Sequence, residues 1–254
     1  MTGPGQAKDA KAAAMRPDRG PGWTGGFGAL SLFTCCVLCL TLWAIFVHAP
    51  IEQRMGIVQK IFYFHVPSAT AMYVGFGLSA LASIAYLIKR SPHWDALAVA
   101  SAEVGTLFCA IVLTTGPIWA RKAWGVYWTW DPRLTTTLLA GLIFMSYLVL
   151  RGFEGAGDAE RRFAAGLAIV AIPNLFIIHY SVQLWRGTHP TVITGRGQGL
   201  APDMQPALAG GFVLMLCVVG LLIWLRTRAE RSRQRLRELE LEAAELGLAE
   251  GKAY

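Results

Sequence analysis

Six apolar runs separated by short polar stretches organise this 254-residue chain. They are Leu30–Val47, Pro67–Ile88, Leu97–Pro117, Leu134–Leu150, Phe163–Tyr180 and Leu208–Leu225. Each is close to the ~20 residues a helix needs to cross the hydrocarbon core of a bilayer. Lipid offers no partner to a backbone N–H or C=O, so runs of this length are expected to be helices that satisfy their own hydrogen bonds. The pattern predicts an all-α integral membrane protein of six transmembrane helices. Six crossings return the chain to its starting side.

Composition agrees. Only 15% of residues are charged and 54% are hydrophobic, with a mean hydropathy of +0.45, whereas soluble domains carry roughly 25% charged residues. Residues 1–26 are rich in Gly, Pro and Ala and read as a disordered cytoplasmic tail, with no cleavable signal peptide before the first span. The net charge of +7 does not point to nucleic acid. Arg226, Arg228, Arg231, Arg233, Arg235 and Arg237 crowd directly after the sixth run, as expected of a cytoplasmic flank beside anionic lipid. With Arg16, Arg19, Lys89, Arg90, Arg151, Arg161 and Arg162 they outnumber Arg54, Lys60, Arg121, Lys122, Arg133, Arg186 and Arg196 on the opposite side. The tails decide that vote, which gives an N-in/C-in topology. Residues 226–254 switch from basic to acidic and are rich in helix formers, so the sixth helix is expected to continue into the cytoplasm as a charged extension, either solvated or docked on a partner. No internal repeat, phosphate-binding glycine loop or nucleotide-binding signature is present.

The connection between the third and fourth runs, residues 118–133, contains WGVYWTWDPR from Trp124 to Arg133. Headgroup-level belts of Trp and Tyr anchor membrane helices, and Trp23, Trp43 and Trp224 fit that role. Trp119, Trp124, Tyr127, Trp128 and Trp130, ending in Asp131, Pro132 and Arg133, exceed what an anchor requires. Such indole area suits a flat apolar ligand with ionic edges, of which haem is one.

Four of the five histidines, His48, His65, His179 and His189, fall on the same side as this connection, and His93 on the other. Each is either a hydrogen-bonding side chain at the interface or a ligand. His65 in FYFHVPSAT, with Pro67 shaping the start of its span, and His189 in WRGTHPT come from distant parts of the chain. That suits two axial ligands meeting a ring from opposite faces. His48 reads as interfacial and His179 as packed between helices. Cys35, Cys36 and Cys39 lie inside the first run and Cys109 and Cys217 inside others, so all five read as apolar filling. Glu103 is a carboxylate within a span, either functional or an interhelical contact. Asn174 behind Pro173 marks a place where freed carbonyls need partners.

The string WGVYWTWDPRLT resembles the tryptophan-rich WWD signature of the haem-handling proteins of cytochrome c maturation. FYFHVPSA before it and IPNLFIIHYSVQLWRGTHPT after it narrow the resemblance to the haem exporter protein C family, CcmC, over about residues 27–225. Tyr127 stands where the family often has Trp, and the basic C-terminal stretch is longer than the shared body requires. The resemblance implies a multi-pass protein of the bacterial cytoplasmic (inner) membrane that presents haem b at the periplasmic face. It implies His65 and His189 as axial ligands of the haem iron and Trp119, Trp124, Tyr127, Trp128, Trp130, Asp131 and Arg133 as the platform. The implied partners are the periplasmic haem chaperone CcmE, the ABC-type subunits CcmA and CcmB, and the small membrane protein CcmD. Such a chain assists covalent loading of haem onto its chaperone rather than acting as an enzyme. Arg133, helped by Arg121 and Lys122, suits the propionates, and Asp131 suits orienting Arg133 or a backbone turn. Two other readings stand beside this one: a transporter that moves haem or another substrate through the bundle, and a membrane b-type electron-transfer cytochrome.

Overall fold

The computed structural model describes residues 25–152, 157–185, 189 and 200–245. The tail before Gly25 with Arg16, Arg19 and Trp23, the residues Arg186 and Arg196, and the stretch after Glu245 lie outside the described residues.

Six long helices form the body: α1 (Gly25–Trp43), α2 (Phe62–Lys89), α3 (Pro92–Trp124), α4 (Pro132–Gly152), α5 (Asp158–Trp185) and α6 (Gln205–Glu245). All six are long and apolar enough to cross a membrane. Gly25 and Glu245 therefore lie on the same side, here called the terminal end. The opposite, tryptophan end carries the first, third and fifth connections.

Close packing of α2 on α3 organises the bundle. A Cβ added at Gly75 would lie 2.5 Å from the Gly105 Cα, so only hydrogens fit where the two backbones cross. Small residues at such crossings let membrane helices gain dispersion contact, which replaces the hydrophobic drive that lipid removes. Around the crossing, Phe76 stacks on Phe144 of α4 at 3.9 Å between centroids, and Ala102, Phe108, Ala168, Ala171 and Val219 complete the core.

The helix boundaries differ from the hydropathy runs in informative ways. The span containing His65 starts at Phe62 rather than Pro67, so His65 lies in the first turns of α2. Pro67 cannot donate to the Tyr63 carbonyl, and Gly211 of α6 packs directly against that oxygen. The tryptophan-rich connection is shorter than 118–133, because α3 continues through Pro117 to Trp124 and α4 begins at Pro132. Arg121 and Lys122 sit in the last turn of α3, where cations favour the carbonyl end of the helix. Gly125, at φ 81°, then ends it with a left-handed turn whose N–H donates to the Arg121 carbonyl at 3.2 Å.

Lys60 is not an exposed charge flanking the first connection but a buried one. After α1 the chain makes a wide helical turn, Ala44–His48, and the Lys60 Nζ donates to the carbonyls of Ile45 and Ala49 there. An ammonium removed from water needs such oxygens, so Lys60 pins this turn to the start of α2.

At the terminal end a polar knot joins four helices. Asp95, in the first turn of α3, is 3% exposed and accepts from Arg151 at the end of α4 at 2.7 Å. Gln234 of α6 donates to the same carboxylate oxygen at 3.0 Å, and Arg161 of α5 approaches it to 4.0 Å. Higher along α3, Glu103 forms a two-point ion pair with Arg226 of α6, so this carboxylate makes an interhelical contact. At 41 residues α6 runs for about 60 Å, roughly twice the hydrocarbon thickness. The expected continuation is thus present, but its first turns are docked rather than solvated: Glu230 and Gln234 are buried against the bundle. Beyond them Leu236, Leu239 and Leu241 are exposed.

Candidate functional site

His65 anchors the tryptophan end. Its half-buried imidazole faces α3, where Nδ1 lies 2.9 Å from the Thr115 hydroxyl. His189, in the connection between α5 and α6, is near enough to His65 for the two rings to interact electrostatically. The two imidazoles that the sequence separates by nearly half the chain are therefore brought near one another.

The indoles divide into two pairs. Trp119 and Trp124 occupy the last two turns of α3 and meet edge to face at 5.9 Å, and Trp124 meets the His189 ring at 6.0 Å in the same manner. Trp128 and Trp130, in the connection proper, form a second edge-to-face pair at 5.8 Å. Trp130 is 77% exposed and Tyr127 61%, the latter lying under the Arg121 guanidinium. Large aromatic faces held at this level of exposure lose their main stabilisation, which is burial. The indole N–H groups of Trp119 and Trp128 and the Thr129 hydroxyl are buried and have no partner among the described residues. Buried donors without acceptors cost about 1–3 kcal/mol each. A ligand with oxygen atoms at its margin would relieve that cost.

Asp131 and Arg133 are set by the start of α4. The Asp131 Oδ1 accepts from the backbone N–H of Arg133 at 2.9 Å, and its carbonyl accepts from Thr135, which caps the helix with Pro132 in its first position. Asp131 is buried, and this contact ties its carboxylate to the start of α4. The Arg133 guanidinium reaches across to α5, donating to the carbonyls of Ile178 at 3.3 Å and His179 at 3.1 Å. It also approaches the His189 Nδ1 at 3.4 Å. Such anchoring holds a cation beside the His189 ring. A guanidinium can only donate, so His189 accepts at Nδ1 here. Ligation through the His189 Nε2 requires the ring proton to move to Nδ1 and Arg133 to release that atom.

The remaining histidines stand apart from the pair. His48 stacks on Trp43 at 5.7 Å and is exposed, as an interfacial residue should be. The His179 ring is exposed, in contact with Tyr180 at 4.9 Å, rather than packed between helices. It borders a groove of about 340 Å³ between α2 and α5, lined also by Tyr73, Leu175 and Phe176. His93 lies at the terminal end beside Trp94. Cys35, Cys36 and Cys39 face outward from α1 instead of filling the core, whereas Cys109 is buried. Asn174 donates to the Thr136 carbonyl of α4 at 2.9 Å, which places its amide between helices rather than on the freed carbonyls of its own.

Sequence reasoning missed Thr115. A hydroxyl in an apolar helix usually bonds only to its own backbone, and the available signal was the run Thr114-Thr115-Gly116-Pro117 at the end of a span.

Comparison with known proteins identifies the family. The family described as Heme exporter protein C matches residues 24–242. That match continues past residue 225, so the first turns of the charged extension belong to the shared body rather than being added to it. Heme exporter protein C of Bradyrhizobium diazoefficiens is 33% identical over 198 residues, covering 76% of this chain and 74% of the relative. Its counterpart from Escherichia coli K12 is 33% identical over 186 residues, covering 70% and 73%. A putative cytochrome c biosynthesis ccmC-like mitochondrial protein from Marchantia polymorpha is 28% identical over 196 residues, covering 77% and 82%. With six spans, an aromatic site and matches of this extent, the chain is a multi-pass inner-membrane protein that belongs to the Heme exporter protein C family.

Proposed function

We propose that this chain binds haem b at its tryptophan end, on the periplasmic face, and delivers it to the periplasmic chaperone CcmE during c-type cytochrome biogenesis. The observation that carries this reading is that His65 lies near enough to His189 to interact with it, while Trp124 and the anchored Arg133 both border the His189 ring.

The donor set fits the group. His65 and His189 would hold haem iron through imidazole nitrogens, a donor set that suits haem in transit. Trp119, Trp124, Trp128 and Trp130 supply faces and edges for the porphyrin, and Tyr127 widens that surface. Arg133 offers a cation for a propionate, and turning towards a carboxylate would draw it off the His189 Nδ1. Asp131 acts through the α4 turn and not by touching an anionic ligand. CcmA, CcmB and CcmD are proposed as membrane partners, and the N-in/C-in topology brings the site to the side where CcmE would meet it.

Translocation through the bundle has less support. The carboxylate at membrane depth, Glu103, is occupied by Arg226, whereas transport sites usually leave polar groups available near the midplane. The test is the visible spectrum of the purified chain followed by incubation with apo-CcmE. A six-coordinate spectrum and passage of haem to CcmE support delivery. Haem that binds but never leaves points to an electron-transfer cytochrome, and no haem at all overturns the reading.

A further inference from the structure

We infer that Thr115 is a positioning residue that fixes the ring proton of His65 on Nδ1 and so leaves Nε2 bare for haem iron. The inference rests on the haem-binding reading above.

A threonine hydroxyl has one proton to give. That of Thr115 goes to the Ile111 carbonyl one turn back along α3, at 2.7 Å. Its oxygen also lies 2.9 Å from the His65 Nδ1. Having spent its proton on Ile111, the oxygen can only accept from the imidazole. Nδ1 therefore carries the hydrogen, and a neutral imidazole has no second one, so Nε2 holds a lone pair. Metal-binding histidines commonly donate their second ring nitrogen to a neighbouring oxygen, which fixes the tautomer and the ring plane and raises ligand basicity.

The next residue holds the ring from a second direction. A Cβ on Gly116 would lie 3.0 Å from the His65 Cε1, so the α3 backbone forms a wall against the ring edge. The two contacts come from adjacent residues of a helix that packs tightly on α2. They set the imidazole before any ligand arrives. His189 differs: its Nδ1 faces a guanidinium, which demands the opposite tautomer. The two ligands are thus unequal, with His65 poised and His189 requiring a proton shift.

The test compares Thr115→Ser and Thr115→Val in the full chain in detergent. Helical content and monodispersity serve as checks on folding. ¹⁵N NMR of the haem-free wild type should show His65 protonated at Nδ1, a measurement that needs no variant. Thr115→Ser should keep that signature and bind haem as the wild type does. Thr115→Val should lose it and bind haem about 10–100-fold more weakly, the usual penalty for losing such a partner, with an altered low-spin EPR signal. A purely structural role would not separate Ser from Val by the tautomer of His65. Finding His65 protonated at Nε2 in the wild type overturns the inference, as does Thr115→Val with wild-type haem affinity and EPR signal. A wild type that binds no haem would instead overturn the functional proposal, while the NMR result would still decide the tautomer.

Discussion

The two ends of the bundle handle polar groups in opposite ways. At the terminal end, the buried Asp95 carboxylate gathers Arg151, Gln234 and Arg161 from three other helices, and Asp158 of α5 accepts from Tyr86 at 2.9 Å. At the tryptophan end, indole N–H groups of Trp119 and Trp128 lack acceptors and the Trp130 face lies open. One end spends its carboxylates on holding helices together, although the Arg151 and Arg161 Nε atoms have no hydrogen-bond partner among the described residues. The other leaves donors and aromatic area unused, a costly arrangement that a bound ligand would complete. The contrast separates scaffold from site without any need for a catalytic motif.

The largest effect should come from breaking the finished end. Arg151→Leu leaves the buried Asp95 carboxylate with only Gln234 and the more distant Arg161, and removing one partner of a buried ion pair costs up to about 3–5 kcal/mol. The thermal unfolding midpoint in detergent should fall sharply, while molecules that remain folded bind haem normally. Loss of haem binding at full stability would blur the distinction between the two ends.

Replacing Trp124, Trp128 and Trp130 together with Ala should act the other way round. At about 0.5–1.5 kcal/mol for each aromatic contact, haem binding should weaken by roughly 2–4 kcal/mol. The unfolding midpoint without haem should move less than in Arg151→Leu, since Trp130 is largely exposed and Trp124 and Trp128 are only partly buried. Full haem occupancy in the triple variant would make the tryptophans a membrane belt only.

A smaller effect is expected at Glu103. Glu103→Gln removes one charge from the pair with Arg226, whose side chains are less buried than those of the Asp95–Arg151 pair, so the loss of stability should be smaller than in Arg151→Leu. Haem transfer to CcmE should continue at the wild-type rate. A block in transfer with haem still bound would revive the idea of transport through the bundle.

Much of this division was legible in the sequence. Apolar runs near 20 residues dictate spanning helices wherever they fall, because lipid removes every alternative for the backbone. The crowding of Trp, His and Arg at one end was equally visible. Details that depend on tertiary partners were not. Lys60 reads as a flanking charge until the carbonyls of Ile45 and Ala49 are seen around it. Asp95 carries no local signal, since its partners come from three helices distant in sequence. Pro117 suggests a helix end, but α3 continues past it to a glycine cap. Thr115 bonds back to Ile111 as a helical threonine commonly does, and only the approach of His65 from α2 gives its oxygen a second task.

Topology can be tested by labelling. A single Cys placed at Gly125 in a cysteine-free background should react with a membrane-impermeant thiol reagent from the periplasmic side, and haem should protect it. A Cys at Gly155 should stay unlabelled. Labelling of 155 alone would invert the chain and remove the case for presentation to CcmE.

The central claim is that His65 and His189 jointly hold haem at the unfinished end, and EPR of the ferric haem complex tests it most directly. The wild type should be low-spin and six-coordinate, and His65→Ala and His189→Ala should each turn high-spin or lose haem, with His93→Ala unchanged. A low-spin spectrum that survives in both His65→Ala and His189→Ala would contradict the account.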